Sequence, residues 1–292
     1  MRLLAIDAGG TRVKAGVVSS GKLIRFETIE LDGTPLLEVV ERVGRDMLGP
    51  GEAWDSVGLS MPGLVDEDGR LVSLPGKHEG LEGTDLRAEL MEAFATDRVI
   101  VVNDAVAYSM GEATEGAGRG ARRSVVITIG TGVGVSVVED GAPVTGGIFG
   151  AGILGGFIPI AGDDGPRDTS GQRGTIEARC AADSLLEYCD GAYGSISAVY
   201  EAHARGDRAA ITGVDRYRFY LERALIALAH AHAPERLILG GGPMRPGNPL
   251  VPGIEGPVNE RLFGTYRVSI HLAELGDSAA LIGLASLSGA LR

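Results

Sequence analysis

Four short strings bring together residues suited to handling phosphate. In Asp7-Ala8-Gly9-Gly10-Thr11 a carboxylate precedes a glycine turn whose backbone N–H groups and threonine hydroxyl can receive anionic oxygens. A hairpin turn capped by Asp7 is the plainer account of the same residues. Gly130-Thr131-Gly132-Val133-Gly134 repeats the form with denser glycine, so that a ligand can pass close to a backbone carrying no Cβ. Neither string ends in Gly-Lys-Ser/Thr, and neither is the strand-to-helix fingerprint of dinucleotide sites. Asn103-Asp104 closes an apolar run, Val99 to Val102, and a carboxylate placed there can accept the proton of a hydroxyl whose oxygen attacks phosphorus. The same side chain can instead cap the helix that follows. Gly240-Gly241-Gly242-Pro243 is a stretch without side chains, either a bed for a flat base or ribose or a tight connection between elements.

These strings need elements to hold them. Leu3–Ile6, Val13–Val18 and Leu23–Thr28 read as a β-meander, and Ser56–Ser60 and Val99–Val102 as further strands. Helical spacing runs from Pro35 to Met47, with Leu36, Leu37, Val40, Val43 and Met47 on one side, and again over Asp85–Ala95 and Ala105–Glu115. After a glycine-rich boundary at Gly116–Gly120 the pattern restarts, with strands at Ser124–Ile129 and Val135–Val138 around the second glycine turn. This weak internal echo of the N-terminus places two phosphate-receptive turns in two similar halves. The stretch from Gly146 to Gly174 reads as a long loop with a short strand at Phe157–Ile160. Helices are predicted at Ile176–Tyr188, Ser197–Arg205, Gly213–His232, Val258–Phe263 and Ser278–Leu287, and strands at Arg236–Leu239 and Tyr266–Ile270. Strands alternating with helices predict an α/β protein, and the last helix has the composition to pack back on the first half.

The composition narrows the function. A chain of 292 residues accommodates two domains with real cores. Its 39 acidic against 27 basic residues give a net charge of -12, which opposes nucleic-acid binding. Glycine, at 46 residues, stands at about twice its usual ~7% and clusters at strand ends, where turns and ligand approach need it. Cys180 and Cys189 are too few for a disulfide framework and match no zinc spacing, as expected of reduced thiols in a cytoplasmic protein. The five histidines form no H-E-x-x-H pair, and His230 and His232 do not face the same way on a helix. With no signal-peptide pattern and no long apolar span, membrane insertion is not expected.

Taken in order from Leu4 to Leu287, the strings resemble the ROK family of sugar kinases and repressors within the actin-like ATPase superfamily. The resemblance is carried by Asp7–Thr11, Pro62-Gly63, Asn103-Asp104-Ala105, Gly130–Gly134 and Gly240–Gly242 followed by Leu275–Ala285. It implies two actin-like, ribonuclease H-like lobes around a central cleft: an acceptor-side lobe of residues 1–115 with 272–292 returning to it, and a nucleotide-side lobe of residues 116–271. It further implies ATP as donor, with phosphates at Gly9, Gly10, Thr11, Gly130, Thr131, Gly132 and Gly134, the nucleoside at Gly240, Gly241 and Gly242, and Mg2+ positioned by Asp7. By the same resemblance Asp104 is the base, Gly63 and Asn103 lie on the sugar side, and Glu177 in Gly171-x-x-Gly174-x-x-Glu177 is a sugar-hydroxyl acceptor. A homodimer is implied as well. The N-terminal DNA-binding domain of the family's repressors is not expected, because the phosphate string begins by Asp7.

Three departures from the family pattern stand out. Its structural zinc cysteines are replaced by Asp168, Ser170 and Thr175, so no such zinc is expected. Ala151-Gly152-Ile153-Leu154-Gly155-Gly156 occupies the place of Ala-Gly-Glu-x-Gly-His, which removes two polar groups at Ile153 and Gly156. The usual Asn and Trp are not evident around Leu74–Gly83, where Lys77 and His78 add polarity. The reading is an ATP- and Mg2+-dependent kinase of a sugar-like small molecule, with an acceptor other than glucose allowed by the missing donors. Two rivals are a noncatalytic sugar- or nucleotide-binding protein of the same fold and a polyphosphate-dependent kinase. The latter would want a basic track, whereas Arg119, Arg122 and Arg123 form only a short cluster that serves equally as a solvated linker.

Overall fold

A computed structural model of the chain describes residues 1–20, 22–74, 78, 80–144 and 152–289; Lys77 and Ala151 lie outside them. The chain forms two compact units, Met1–Arg119 with Gly141–Gly150 and Asp277–Arg292, and Gly120–Asp140 with Ala151–Gly276. The α/β class expected from the sequence is observed.

In the first unit, β1 (Arg2–Ala8), β2 (Arg12–Ser19) and β3 (Lys22–Glu30) form an antiparallel meander, and β4 (Ser56–Met61) and β7 (Val99–Asn103) extend it in parallel, giving the order β3-β2-β1-β4-β7. β5 (Leu64–Val65) and β6 (Leu71–Ser73) make a small separate hairpin. Both faces of the main sheet are covered, which explains why Leu3–Ile6 of β1 is apolar without a gap. Alternate side chains serve opposite cores. Leu4 and Ile6 join Val39 and Val40 of α1 (Leu36–Asp46) and Leu86 and Leu90 of α2 (Leu86–Phe94), whereas Leu3 and Ala5 join Ala107 of α3 (Asp104–Glu115) and Leu281 and Leu284 of α9 (Ala279–Leu287). Helices α3 and α9 approach through glycine: a Cβ at Gly283 would overlap the Ala107 carbonyl, and one at Gly111 the Ala279 carbonyl.

The second unit repeats the strand order. β8 (Arg123–Ile129) pairs antiparallel with β9 (Val133–Glu139) and parallel with β11 (Arg236–Gly241), and β11 pairs parallel with β12 (Ser269–Leu272), giving β9-β8-β11-β12 to match β2-β1-β4-β7; the two-residue β10 (Ala142–Pro143) falls in the Gly141–Gly150 segment of the first unit. Its helices are α4 (Ile176–Cys180), α5 (Ala182–Tyr188), α6 (Ile196–Ala204), α7 (Arg208–His232) and α8 (Glu255–Glu260). α7 starts where the Asp207 side chain caps the N–H groups of Ala209 and Ala210, and it buries Val214, Tyr217, Leu221, Leu225 and Leu228 along one face. Among the described residues no helix is long and apolar enough to cross a membrane.

Several local expectations shift. Phe157–Ile160 is not a strand: Ile153–Phe157 is a 3-10 turn, and Pro159, with no N–H to give to a ladder, makes only an isolated bridge to Thr175. The single helix expected over Ile176–Tyr188 is two, broken at Ala181 (φ -59, ψ 159), and the break lets the Ala182 N–H reach the Gly130 carbonyl at 2.8 Å. α7 begins at Arg208 rather than Gly213, α8 spans Glu255–Glu260 rather than Val258–Phe263, and the last strand is Ser269–Leu272 rather than Tyr266–Ile270.

Candidate functional site

The sequence-predicted residues gather in two groups, one in each unit. In the first, the parallel strands β1, β4 and β7 end side by side, with Asp7 opposite Ser60, Ser60 opposite Val102 and Met61 opposite Asn103. The carboxyl ends of such strands are the usual ligand edge of an open α/β sheet. Asp7 Oδ1 accepts a hydrogen bond from the fully buried Ser60 hydroxyl at 2.8 Å. Lys14, opposite Asp7 on β2, brings Nζ to 3.9 Å from Asp7 Oδ2 and donates to Asp277 Oδ1 at 2.9 Å. Burial pushes the Asp7 carboxyl above its ordinary value; the Ser60 donation and the Lys14 charge oppose this, and Asp277 adds to it. A carboxylate oxygen held at a desolvated strand end suits a hard divalent cation, so these residues fit Mg2+.

The turn after Asp7 closes through the Gly9 N–H, which donates to the Arg12 carbonyl at 2.8 Å, and leaves Gly10 and Thr11 exposed. The His78 ring nitrogen Nε2 lies 3.1 Å from the Gly9 carbonyl. Beside this turn opens a cavity of about 630 Å³, bordered by Gly10, Thr11, Leu36, His78 and Leu81, a size typical of small-molecule sites. At the end of β7, Asn103 is the N-cap of α3: its Oδ1 accepts from the Ala105 N–H at 2.8 Å, while its Nδ2 donates to the Gly63 carbonyl at 2.8 Å. Gly63 has a φ of 97°, and a Cβ there would lie 2.5 Å from the Ser73 carbonyl, so the turn requires glycine. Asp104 stands in the first turn of α3, half-buried, with Oδ1 accepting from the Ala105 N–H at 2.9 Å. The capping role considered for Asp104 thus falls mainly to its neighbour.

The second group surrounds the Gly130–Gly134 turn. Register puts Gly240 and Gly241 beside Thr128 and Ile129, so the turn and the triple-glycine edge, more than a hundred residues apart in sequence, adjoin. Gly241 sits at φ 97° against the Ile129 carbonyl, where a side chain would collide, whereas Gly242 faces open space. Within the turn, the Gly130 N–H donates to the Gly132 carbonyl at 2.9 Å. Glu177 is only 7% exposed, and both its oxygens are engaged: Oε1 accepts from the Thr169 N–H at 2.9 Å and hydroxyl at 2.6 Å, and Oε2 from the Val133 N–H at 3.0 Å. A Cβ on Gly132 would approach Glu177 Oε2 to 2.6 Å.

The positions of the family's zinc cysteines form a knot of another kind. Asp168 Oδ1 accepts from the Ser170 N–H and hydroxyl and the Gln172 N–H, at 2.9, 2.7 and 2.9 Å, and Oδ2 from the Thr175 hydroxyl at 2.7 Å. One saturated carboxylate and two hydroxyls committed as donors do not fit zinc, which takes thiolate or imidazole ligands. Among the described residues no group of three or more His, Cys, Asp or Glu side chains is placed to hold a metal ion. Cys180 and Cys189 are buried, and burial raises both thiols above their ordinary values, which keeps them protonated and inert. Gly156, where the family pattern has histidine, packs its Cα against the Val133 carbonyl so closely that a Cβ would overlap it.

Sequence reasoning missed Lys14, Ser60, Asp277 and Thr169. Strand alternation was the available signal for Lys14, because a tight turn between Asp7 and Lys14 places the two opposite each other. Ser60, the buried serine at the carboxyl end of β4, could have been found by asking what satisfies it.

Two units with one strand order, each carrying a glycine turn between its first two strands, define the actin-like ATPase fold. The chain belongs to the ROK family, whose model matches residues 3–290. It is 29% identical over 318 residues to a glucokinase of Thermotoga maritima, covering 98% of this chain and 97% of that protein. A kanosamine kinase of Amycolatopsis mediterranei is 27% identical, over 98% of this chain and 95% of its own. Among solved structures, a ROK family glucokinase from Streptomyces griseus in complex with glucose and AMPPNP superposes with a TM-score of 0.80 at 24% identity, covering 98% of this chain and 99% of that one.

Proposed function

We propose that the chain is a sugar kinase that transfers the γ-phosphoryl group of ATP to a hydroxyl of a sugar or sugar-like small molecule by direct in-line displacement. Asp104 takes the hydroxyl proton as that oxygen bonds to phosphorus, and the bond from phosphorus to the ADP oxygen breaks, so that ADP carries away the electron pair. Asn103 fixes the Gly63 carbonyl and the start of α3, and its second amide hydrogen orients the sugar. Asp7 would hold Mg2+, which when bound neutralises charge on the phosphates. The donors of the Gly9–Thr11 and Gly130–Gly134 turns receive anionic oxygens. The observation carrying this reading is the placement of Asp104 at the carboxyl end of β7, in the first turn of a helix whose capping is met by Asn103, on the sheet edge that also holds Asp7. The named kinases among the relatives support the reaction class, and hexoses and aminosugars therefore head the acceptor panel.

Removing a general base costs about 10²–10⁴-fold in rate. The variant Asp104→Asn is expected to lose turnover on that scale while binding ATP as the wild type does; wild-type turnover would overturn the assignment. A second reading, a noncatalytic binder, is favoured by Ile153 and Gly156, which bring no polar side chain to their segment. An assay of ATP consumption with product detection across the panel separates the two, and an arm with polyphosphate in place of ATP tests the donor.

A further inference from the structure

The segment Asp168–Ala182 touches the Gly130–Gly134 turn at both of its ends. Glu177 Oε2 accepts from the Val133 N–H at 3.0 Å, and the Ala182 N–H, freed by the break between α4 and α5, donates to the Gly130 carbonyl at 2.8 Å. Glu177 is in turn held by Thr169, and the loop carrying Thr169 is wound around the Asp168 carboxylate, whose other oxygen takes the hydroxyl of Thr175, the N-cap of α4. Gly132 has no side chain at the point where Glu177 Oε2 would meet one, 2.6 Å away. Two carboxylates and six donated hydrogens from residues 169–175 therefore lock one side of the turn.

We propose that Glu177 is a positioning residue for the nucleotide phosphates: it sets the backbone of the Gly130–Gly134 turn, and the Asp168 knot holds it there. This rests on the kinase reading, in which that turn receives donor phosphate. Three donors on its two oxygens fix the Glu177 carboxylate and leave it about one acceptor position. It also takes up the Val133 N–H, while Gly130 and Thr131 of the same turn stand exposed. Preorganised donors bind oxyanions well because no reorganisation is needed on binding.

Glu177→Gln is isosteric and keeps one acceptor oxygen. Turned either way, its NH2 faces an N–H or O–H donor that the carboxylate used to satisfy. Two measurements on the full chain test the proposal: amide exchange at residues 130–134 without ligand, and calorimetric affinity for Mg2+-AMPPNP. The expected result is exchange at Val133 faster by at least tenfold and AMPPNP affinity weaker by about tenfold. Wild-type exchange at Val133, or wild-type AMPPNP affinity alongside faster exchange, would overturn it. Should Glu177→Gln not fold, Thr169→Val, which removes one donor, is expected to weaken AMPPNP binding a few-fold and Thr169→Ser to restore it; equal affinity in both variants would also overturn the proposal. If the wild type binds no AMPPNP, the kinase reading fails by itself, while the exchange data still decide whether Glu177 holds the turn.

Discussion

The two sheet edges share a strand order and differ in how they carry charge. At the first, ionised side chains stand in a row across the strands: Lys14 on β2, Asp7 on β1, with Ser60 on β4 completing the row and Asp277 beside Lys14. At the second, the carboxylates are turned inward and spent on backbone and hydroxyl donors, so the surface offered is main chain. One edge carries charged side chains, and the other carries main chain held in place by buried carboxylates. The same topology can thus carry two kinds of edge, because register decides which side chains line an edge and glycine decides where there are none.

The largest effect should come from breaking the charged row. Asp7→Asn keeps the shape and the Ser60 contact but removes the anion that would hold Mg2+, and turnover is expected to fall by about 10²–10³-fold. Titration of activity against Mg2+ checks the cause: the requirement should move to higher concentration. An unchanged Mg2+ dependence would take Asp7 out of the metal's reach and bring the two edges closer in character.

Breaking the main-chain edge should act on stability first. Gly241 needs its φ of 97° and meets the Ile129 carbonyl, whereas Gly242, one residue on, has open space. Gly241→Ala is expected to cost about 2–3 kcal/mol in urea unfolding, from backbone strain and displacement of β8, and Gly242→Ala well under 1 kcal/mol. Equal costs would mean that the triple-glycine edge is a plain connection rather than a constrained surface.

Much of this was legible in local pattern. The apolar runs at β1, β4, β7, β8 and β11 and the glycine strings that follow β1, β8 and β11 were readable because strand burial and turn geometry are written within a few residues. The knot around Asp168 and Glu177 was not, since it depends on which donors a loop of Ser, Thr and Gln turns inward. Nor was the break at Ala181: Cys180-Ala181-Ala182-Asp183 carries no helix breaker, and the interruption is tertiary, made where the Ala182 N–H meets Gly130. Pro159 is the local signal against a strand over Phe157–Ile160, among apolar neighbours that on their own favour one.

The smallest effect tests the inward-turned carboxylates through pH. Burial alone would raise the Asp168 carboxyl, but donations from Ser170, Thr175 and Gln172 outweigh it and hold the group below its ordinary value. In the unfolded chain the same carboxyl titrates near ~3.9. Folding therefore releases protons on the acid side: the stability Asp168 contributes is complete above about pH 5, declines as pH falls through ~3.9 and is gone below the folded value. Asp168→Asn, with one acceptor oxygen in place of two, is expected to cost about 1–2 kcal/mol at pH 7. The gap between variant and wild type should narrow as unfolding is measured at progressively lower pH. Taking the difference removes the other carboxylates, including Asp7, whose raised value works in the opposite sense. Parallel curves down to pH 3 would mean that the knot draws on shape and neutral hydrogen bonding, and that the inward-facing charge is not what holds the second edge.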